Sequence, residues 1–574
     1  MDLADVPFND IISSAGTQFI IPIWQRLYSW DSKEWNDLWE DLMNLYERMQ
    51  KGEAAEHFLG SIVVKTIEEK VGEKTRRILI DGQQRLTTLL LICALIRDRA
   101  RAEGNKNLAD EIEDYFLFNK HAKKTEDRPK LHPTEADRKM FDQIINGELP
   151  ELDYGSQLHF AFDFFKNKLE SGKHKYDSEG LLNTIRSLRI VTIRLDEKDN
   201  PNRIFETLNY RGKELGQSDL IRNYFMMAIR DAATTYQIYE NIWYPMQQSL
   251  GSNTWERIEN LESFLRHHAV MNKHTFVRED KVYAEMRERL KNASEGQVIS
   301  ELKTISKYSK YYGRLLYPDR EENRRIRKGI ERLNRLRIGV HYPFLLKVYD
   351  AFHSRTPKIS EDDFCTILET IESYIVRRFF HGKPTHSLNR LFASLCELPE
   401  DDLPNSLQRE LSEKESWRAQ YWPKDDEFKD DLRNVPIYKM SRERCRFVLE
   451  TLEEYYGHPE RVVLGELTVE HVMPETLDKN WQKYLGADWE ELKDENERKR
   501  YLHSIGNLTL IAGPPNSALS NKLFPEKKED WYAKSNVGLT KEIHKRWDKW
   551  TLAQIEERAN ILAERAIKIW PRLR

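Results

Sequence analysis

The rhythm of apolar residues changes twice along this chain of 574 residues, and the changes limit the folds open to it. Up to about residue 235, short β-rich runs alternate with helical patterns. From about 236 to 445 the pattern is helical almost throughout, and after about 446 two β-rich runs return before a closing helix. An α+β, predominantly helical protein is expected, divided near 235 and 445. The longest uninterrupted apolar run, residues 89–96, is too short to cross a bilayer, so no membrane partner is expected. The start, Met1-Asp2-Leu3-Ala4-Asp5, is acidic where an export signal is basic. Cys93, Cys365, Cys396 and Cys445 lie far apart without a C-x-x-C pair, which argues against a zinc knuckle or a disulfide framework and fits a reducing cytoplasm.

Lys and Arg number 91 against 95 Asp and Glu, so affinity for nucleic acid would have to come from a local patch. Residues 303–337 hold twelve basic and four acidic side chains, interleaved with Tyr308, Tyr311, Tyr312 and Tyr317. That is either a phosphate-tracking surface with stacking rings or a solvated helix face over packed tyrosines. The acidic, proline-bearing stretch 397–431 reads as a surface excursion or linker. The stripe Leu552, Ile555, Ala559, Leu562, Ala566 and Ile569 reads as the core face of a last helix, stopped by Pro571.

Two constellations carry chemistry. Residues 61–66 and 76–80 read as a hairpin whose second strand ends at Asp81-Gly82-Gln83-Gln84-Arg85-Leu86-Thr87-Thr88, where a helix begins. A strand-to-helix junction aims free N–H groups at its loop, and the helix dipole favours an anion there. Gly82 lets the backbone approach a ligand, Arg85 offers a fork of donors, Thr87 or Thr88 a hydroxyl, and Asp81 a carboxylate for a cation or a water. The other reading is a capped helix whose Asp81 satisfies backbone donors. A strand over 190–195 follows, then a helix over 202–208, a turn at Arg211-Gly212 and a helix capped by Ser218.

Near the C-terminus stand Thr468-Val469-Glu470-His471-Val472-Met473-Pro474, then Ile505-Gly506-Asn507-Leu508-Thr509-Leu510, then Asn516. A strand ending in acid-His puts an imidazole at a sheet edge beside a carboxylate. Phosphodiester cleavage needs a base to activate water and a cation to neutralise the leaving oxygen. His471 suits the first task, and Glu470 with a later amide oxygen suits Mg²⁺ or Mn²⁺. Asn507 could accept from the imidazole and fix its tautomer. His503 reads as packing or capping, with a part in the site as the alternative. Lys522, Lys527 and Lys528 read equally as phosphate contacts or a solvated helix.

The second constellation resembles the HNH (ββα-metal, His-Me finger) nucleases in the branch with H-x-x-P, then G-N-L-T-L, then a downstream Asn. The resemblance implies that His471 is the general base, Asn507 the middle Asn, and Glu470 and Asn516 metal ligands. The last letter of the motif is Asn rather than His, and Asn521 competes with Asn516 for the ligand role. At the other end, Ile21-Pro22-Ile23-Trp24-Gln25-Arg26-Leu27-Tyr28-Ser29-Trp30, the D-G-Q-Q-R element, and Phe205-Glu206-Thr207-Leu208-Asn209-Tyr210-Arg211-Gly212 with Asp219 occur in one order. That order resembles the ParB-like NTPase domain of GmrSD-type and SspE-type restriction enzymes that depend on DNA modification.

The resemblance implies nucleotide hydrolysis by Asp81, Gln83, Gln84 and Arg85, with GTP or ATP as substrate. Gly82, Thr87, Thr88, Asn209, Arg211 and Asp219 would complete or wall the nucleotide pocket. Gln25, Arg26, Tyr28 and Trp30 would sense a modified DNA group such as a phosphorothioate, while Trp24, Tyr28 and Trp30 could equally be core. The organisation implied is a ParB-like NTPase over 1–235, a helical middle over 236–445 and an HNH nuclease over 446–574. The implied function is a cytoplasmic, modification-dependent DNA endonuclease of antiphage defence, compatible with a homodimer. A nucleotide-switched DNA-binding scaffold with an inactive HNH fold and an RNA-cleaving abortive-infection nuclease are the alternatives.

Overall fold

Six strands from the N-terminal part pair into one mixed sheet. They are β1 (Asp2–Pro7), β2 (Thr17–Ile20), β3 (Phe58–Thr66), β4 (Thr75–Asp81), β5 (Leu131–His132) and β6 (Arg189–Leu195), in the order β1-β6-β3-β4-β2-β5. The computed structural model describes residues 2–572 apart from 15, 67–74, 123, 151–155, 172–174, 196–215, 384–386, 414–419, 457–463 and 512–520. β3 and β4 are antiparallel, as the hairpin reading expects, while β3 and β6 are parallel.

Alternation along these strands serves two cores, because successive side chains point to opposite faces. Ile62, Val64, Leu79 and Ile190 join a large cluster with Trp35, Leu38 and Leu42 of the helix Ser32–Gln50 and with the helix Gln83–Ala102. Val63, Ile80, Ile193 and Leu195 face the other way, against Leu220 and Met227 of the helix Gln217–Met227. The helix Gln83–Ala102 is buried along nearly its whole length, from Gln83 to Ala100, so it runs through the interior. Gly216, not Ser218, stands at the N-cap of the helix Gln217–Met227; the Ser218 hydroxyl donates instead to Glu262 at 3.1 Å.

By its contacts the chain divides into two compact units: residues 1–262 with 279–306, and residues 263–278 with 307–574. The second unit is helical except for β7 (Thr468–His471) and β8 (Leu508–Ile511), an antiparallel pair in which His471 faces Leu508. The fold is thus α+β and predominantly helical. No described helix is long and apolar enough to cross a membrane.

Two expectations change. The stretch 397–431 is not a surface linker among its described residues: the helices Leu403–Glu413 and Asp425–Asn434 bury Leu403, Leu407, Leu411, Phe428 and Leu432. Arg377 and Arg378, fully buried, donate to the Pro423 and Tyr421 carbonyls and tie that stretch to the core. The basic stretch is the packed alternative, for Tyr308, Tyr311 and Tyr312 are buried and Tyr311 stacks on Tyr349. Its cations meet distant carboxylates: Lys307 on Asp350, Arg325 on Glu361 and Asp362, Arg332 on Glu372, Arg337 on Glu443. Each of these four cations thus has a counter-charge within the fold.

Candidate active site

β7 delivers His471 to the end of the strand pair, and the turn Val472-Met473-Pro474 leads away from it. That turn is fixed by Asn507, which is fully buried. Asn507 Oδ1 accepts from Met473 N at 2.8 Å and Trp550 Nε1 at 3.0 Å, while Nδ2 donates to the carbonyls of Met473 (2.8 Å) and Leu502 (3.0 Å). Every hydrogen-bonding position of this amide is taken, so Asn507 does not orient the imidazole as expected. Behind it, Arg558 donates to the carbonyls of Ile505, Gly506 and Leu508. Gly506 is required for that approach, since a Cβ there would stand 2.3 Å from the Ile555 carbonyl oxygen.

The partner of His471 is His503, at the end of the helix Glu495–His503: His471 Nε2 and His503 Nδ1 are 3.1 Å apart. Glu475 lies 3.9 Å from each ring, Oε1 toward His471 Nδ1 and Oε2 toward His503 Nε2, and Lys439 holds it at 3.0 Å. Tyr438 closes one side, edge-on to His471 and stacked on His503. Burial holds both imidazoles below their ordinary range, His503 down to about 4, with Glu475 pulling the other way. Both rings are therefore neutral near pH 7, the state in which a histidine can accept a proton. Sequence reading missed Glu475, Tyr438 and Lys439 and undervalued His503. The one available signal was the i,i+4 spacing of His471 and Glu475.

Glu470 points away from this cluster's proton chemistry. Its Oε1 receives Lys527 Nζ at 2.7 Å, and Lys527 also donates to the His471 carbonyl at 2.8 Å. With Glu470 4% exposed and Lys527 fully buried, the carboxylate already has its counter-charge. Glu470 does not fit a metal ligand in this arrangement, because a divalent cation would have to displace the ammonium. Asn516 lies outside the described residues. Among the described residues no three His, Cys, Asp or Glu side chains converge as a metal site. Nor do the lysines form a phosphate surface: Lys527 is interior, Lys528 pairs with Asp548 and Lys522 with Asp530.

In the first unit, Gly82 caps the helix Gln83–Ala102 at φ +90°, and a Cβ on it would meet Ile62 Cγ2 at 2.6 Å. Asp81 sits at this junction beside Arg85 and Arg26. Burial raises its carboxyl, and both guanidinium groups oppose that. Arg85 lies over Gly60 and donates to the Ser61 carbonyl at 2.8 Å. Arg26, its charge disfavoured by burial, is drawn toward Asp219 and Asp81. Asp219 pairs with Arg222 at 2.7 Å, and Arg222 donates to the Trp24 carbonyl. Gln25 donates to the Ile80 carbonyl and accepts from Gln83, whose own Oε1 has no partner. Asp81, Arg85, Arg26, Gln25, Gln83 and Asp219 are thus gathered around one strand-to-helix turn.

Other residues assigned to that site are structural. Gln84 Oε1 accepts from Ser29 N at 2.8 Å and Trp30 N at 3.3 Å, clamping the incoming chain. The Tyr28 hydroxyl meets Thr88 Oγ1 at 2.7 Å and receives Trp35 Nε1, inside the core, and Thr87 is buried too. Trp30 packs against the same core. These contacts remove Gln84, Tyr28 and Thr88 as ligand-facing groups. Asn209 and Arg211 fall outside the described residues.

Two family models match the chain: the N-terminal domain of the GmrSD restriction endonuclease over residues 8–226, and the C-terminal domain of GmrSD restriction endonucleases over 422–565. The chain belongs to the GmrSD restriction endonuclease family. Its role is therefore that of a restriction endonuclease in defence, acting on DNA. No curated protein matches it. The two matched segments contain the two constellations, with the Asp81 turn in the first and the His471–His503 pair in the second.

Proposed function

We propose that this GmrSD-family chain hydrolyses phosphodiester bonds of modified foreign DNA with His471 as the general base, in an HNH-type site. The observation that carries the reading is a strand-end imidazole whose Nε2 is engaged by His503 while Nδ1 faces Glu475 at 3.9 Å. In this reaction Nδ1 takes a proton from water as the water oxygen bonds phosphorus. The bond to the leaving oxygen breaks, and that oxygen takes its proton from solvent. Dependence of cleavage on Mg²⁺ or Mn²⁺ is part of this proposal, although Lys527 occupies Glu470, so any ion would take its ligands elsewhere.

The Asp81–Arg85–Arg26 cluster is the proposed nucleoside triphosphate site. Gly82 and the helix start it caps would receive phosphate, the two arginines would counter its charge, and Asp81 would polarise water. Nucleotide turnover there would regulate cleavage, with Gln25 and Arg26 as the remaining candidates for contact with the modified group. In purified protein, His471→Ala should abolish DNA cleavage and leave GTP and ATP hydrolysis unchanged, and Asp81→Ala should abolish hydrolysis. Cleavage by His471→Ala at the wild-type rate would refute the assignment of the base.

A further inference from the structure

We infer that His503 is a positioning residue for His471, fixing Nδ1 of His471 as the nitrogen that accepts the proton, with Glu475 as the third member of the chain. The inference rests on His471 being the base.

The two rings meet through His471 Nε2 and His503 Nδ1 at 3.1 Å, both nearly excluded from solvent, so one proton lies between them. Glu475 stands 3.9 Å from the outer nitrogen of each ring and does not choose between them, so which ring owns the proton follows from His471 being the base. Glu475 Oε2 faces His503 Nε2 at 3.9 Å, and Lys439 holds that oxygen in place at 3.0 Å. With its proton on Nε2, neutral His503 has a bare Nδ1, which accepts from His471 Nε2–H. His471 is then left with a lone pair on Nδ1. The opposite arrangement, with His503 donating from Nδ1, would consume the lone pair of His471 Nε2 and put a proton on Nδ1, leaving no base.

Glu475 also reaches the other end. Its Oε1 is 3.9 Å from His471 Nδ1, too long for a hydrogen bond in the resting ring but near enough to favour the imidazolium once Nδ1 is protonated. Tyr438 keeps the rings in register. Its ring is 4.6 Å from His471 at 83° and 5.9 Å from His503 at 11°, so neither imidazole can rotate without losing that wall. A histidine serving only to fill space would have no reason to present one nitrogen to a ring and the other to a carboxylate.

The test uses the full chain with ¹⁵N-labelled histidine and two-bond ¹H–¹⁵N correlations, which report the tautomer of each ring. In the wild type, His471 is expected to carry its proton on Nε2, and a proton on Nδ1 would overturn the inference without any variant. His503→Leu should let His471 populate both tautomers. It should also lower kcat about 100-fold or more with KM moved less than about threefold. His503→Asn, whose Oδ1 can accept the same proton, should restore most of both. The probe is duplex DNA carrying phosphorothioate or glucosylated hydroxymethylcytosine, whichever the wild type cuts. Unchanged tautomer and kcat in His503→Leu would refute the positioning role while an inactive His471→Ala upheld the base. Conversely, an active His471→Ala would remove the base but not the tautomer result.

Discussion

Removing the ammonium of Lys527 should open the strand pair that carries His471. Lys527 Nζ is 2.7 Å from Glu470 Oε1 and 2.8 Å from the His471 carbonyl oxygen, with both charged groups out of solvent. At an effective dielectric of about 20, two unit charges at this separation attract by about 6 kcal/mol, while each buried ion gives up several kcal/mol of hydration. Burial raises the Glu470 carboxyl and lowers the Lys527 ammonium, each time against the pull of the partner, so desolvation outweighs attraction on both sides. The pair as a whole therefore contributes little, but either partner alone is an uncompensated buried charge.

Lys527→Met, which keeps the length of the stem, should destabilise this region by about 3–5 kcal/mol. In hydrogen exchange followed by mass spectrometry, amides of β7 and β8 should exchange about 100-fold to several thousandfold faster. The double variant Lys527→Met with Glu470→Leu should return to within about 1 kcal/mol of the wild type, because no charge is left stranded. An increase below tenfold in Lys527→Met, or a double variant no better than the single one, would refute the reasoning.

Three smaller perturbations test other joints. Gly506→Ala puts a Cβ 2.3 Å from the Ile555 carbonyl oxygen and 3.0 Å from Ala559 Cβ, and should lower urea stability by about 1–3 kcal/mol as the last helix shifts. Asn507→Asp keeps the shape but loses both donors to Met473 and Leu502. It should cost about 2 kcal/mol or more in the same titration, and parity with the wild type would dismiss the brace. His341 is fully buried, neither ring nitrogen has a partner, and burial pushes it down to about 3. The unfolded chain takes up a proton below about pH 6.5 and the folded one does not, so stability is lost as pH falls through the window from about 6.5 to 3, by about 2 kcal/mol at pH 5. His341→Leu should remove that acid-side loss between pH 7.5 and pH 5, and an unchanged difference would rule it out.

The elements were legible where a local period reports burial. Ile62, Val63 and Val64 alternate between two cores, and the stripe from Leu552 to Ala566 packs inward. Reading failed where charge disguised burial or where the partner was remote in the chain. Leu403, Leu407 and Leu411 follow helical spacing, but the surrounding acids gave 397–431 the look of a linker. The basic run over 303–337 could be read two ways because carboxylates that pair with it, from Asp350 to Glu454, lie far outside the run. No window-based reading sees such a pair.

The same limit separates the residues that mark the site from those that work in it. His471 and the Gly506-Asn507 turn were visible as a spaced motif, but spacing names positions, not partners. One side of the Asn507 amide holds Met473, two residues beyond His471, and the other holds Leu502, one residue before His503. A single buried amide therefore sets the distance between the two imidazole-bearing segments without touching either ring. Its proper signature is a pair of bonds to main-chain carbonyls, which leaves no trace in side-chain chemistry, whereas an orienting role in a triad is the use that side-chain type suggests first. His503 enters because the end of its helix is fastened there, and Glu475 because four residues past a strand end brings a side chain back beside the first. Bracing and proton chemistry fall to different residues, so Asn507→Asp should disturb stability and activity together, whereas His503→Leu should disturb activity at nearly constant stability.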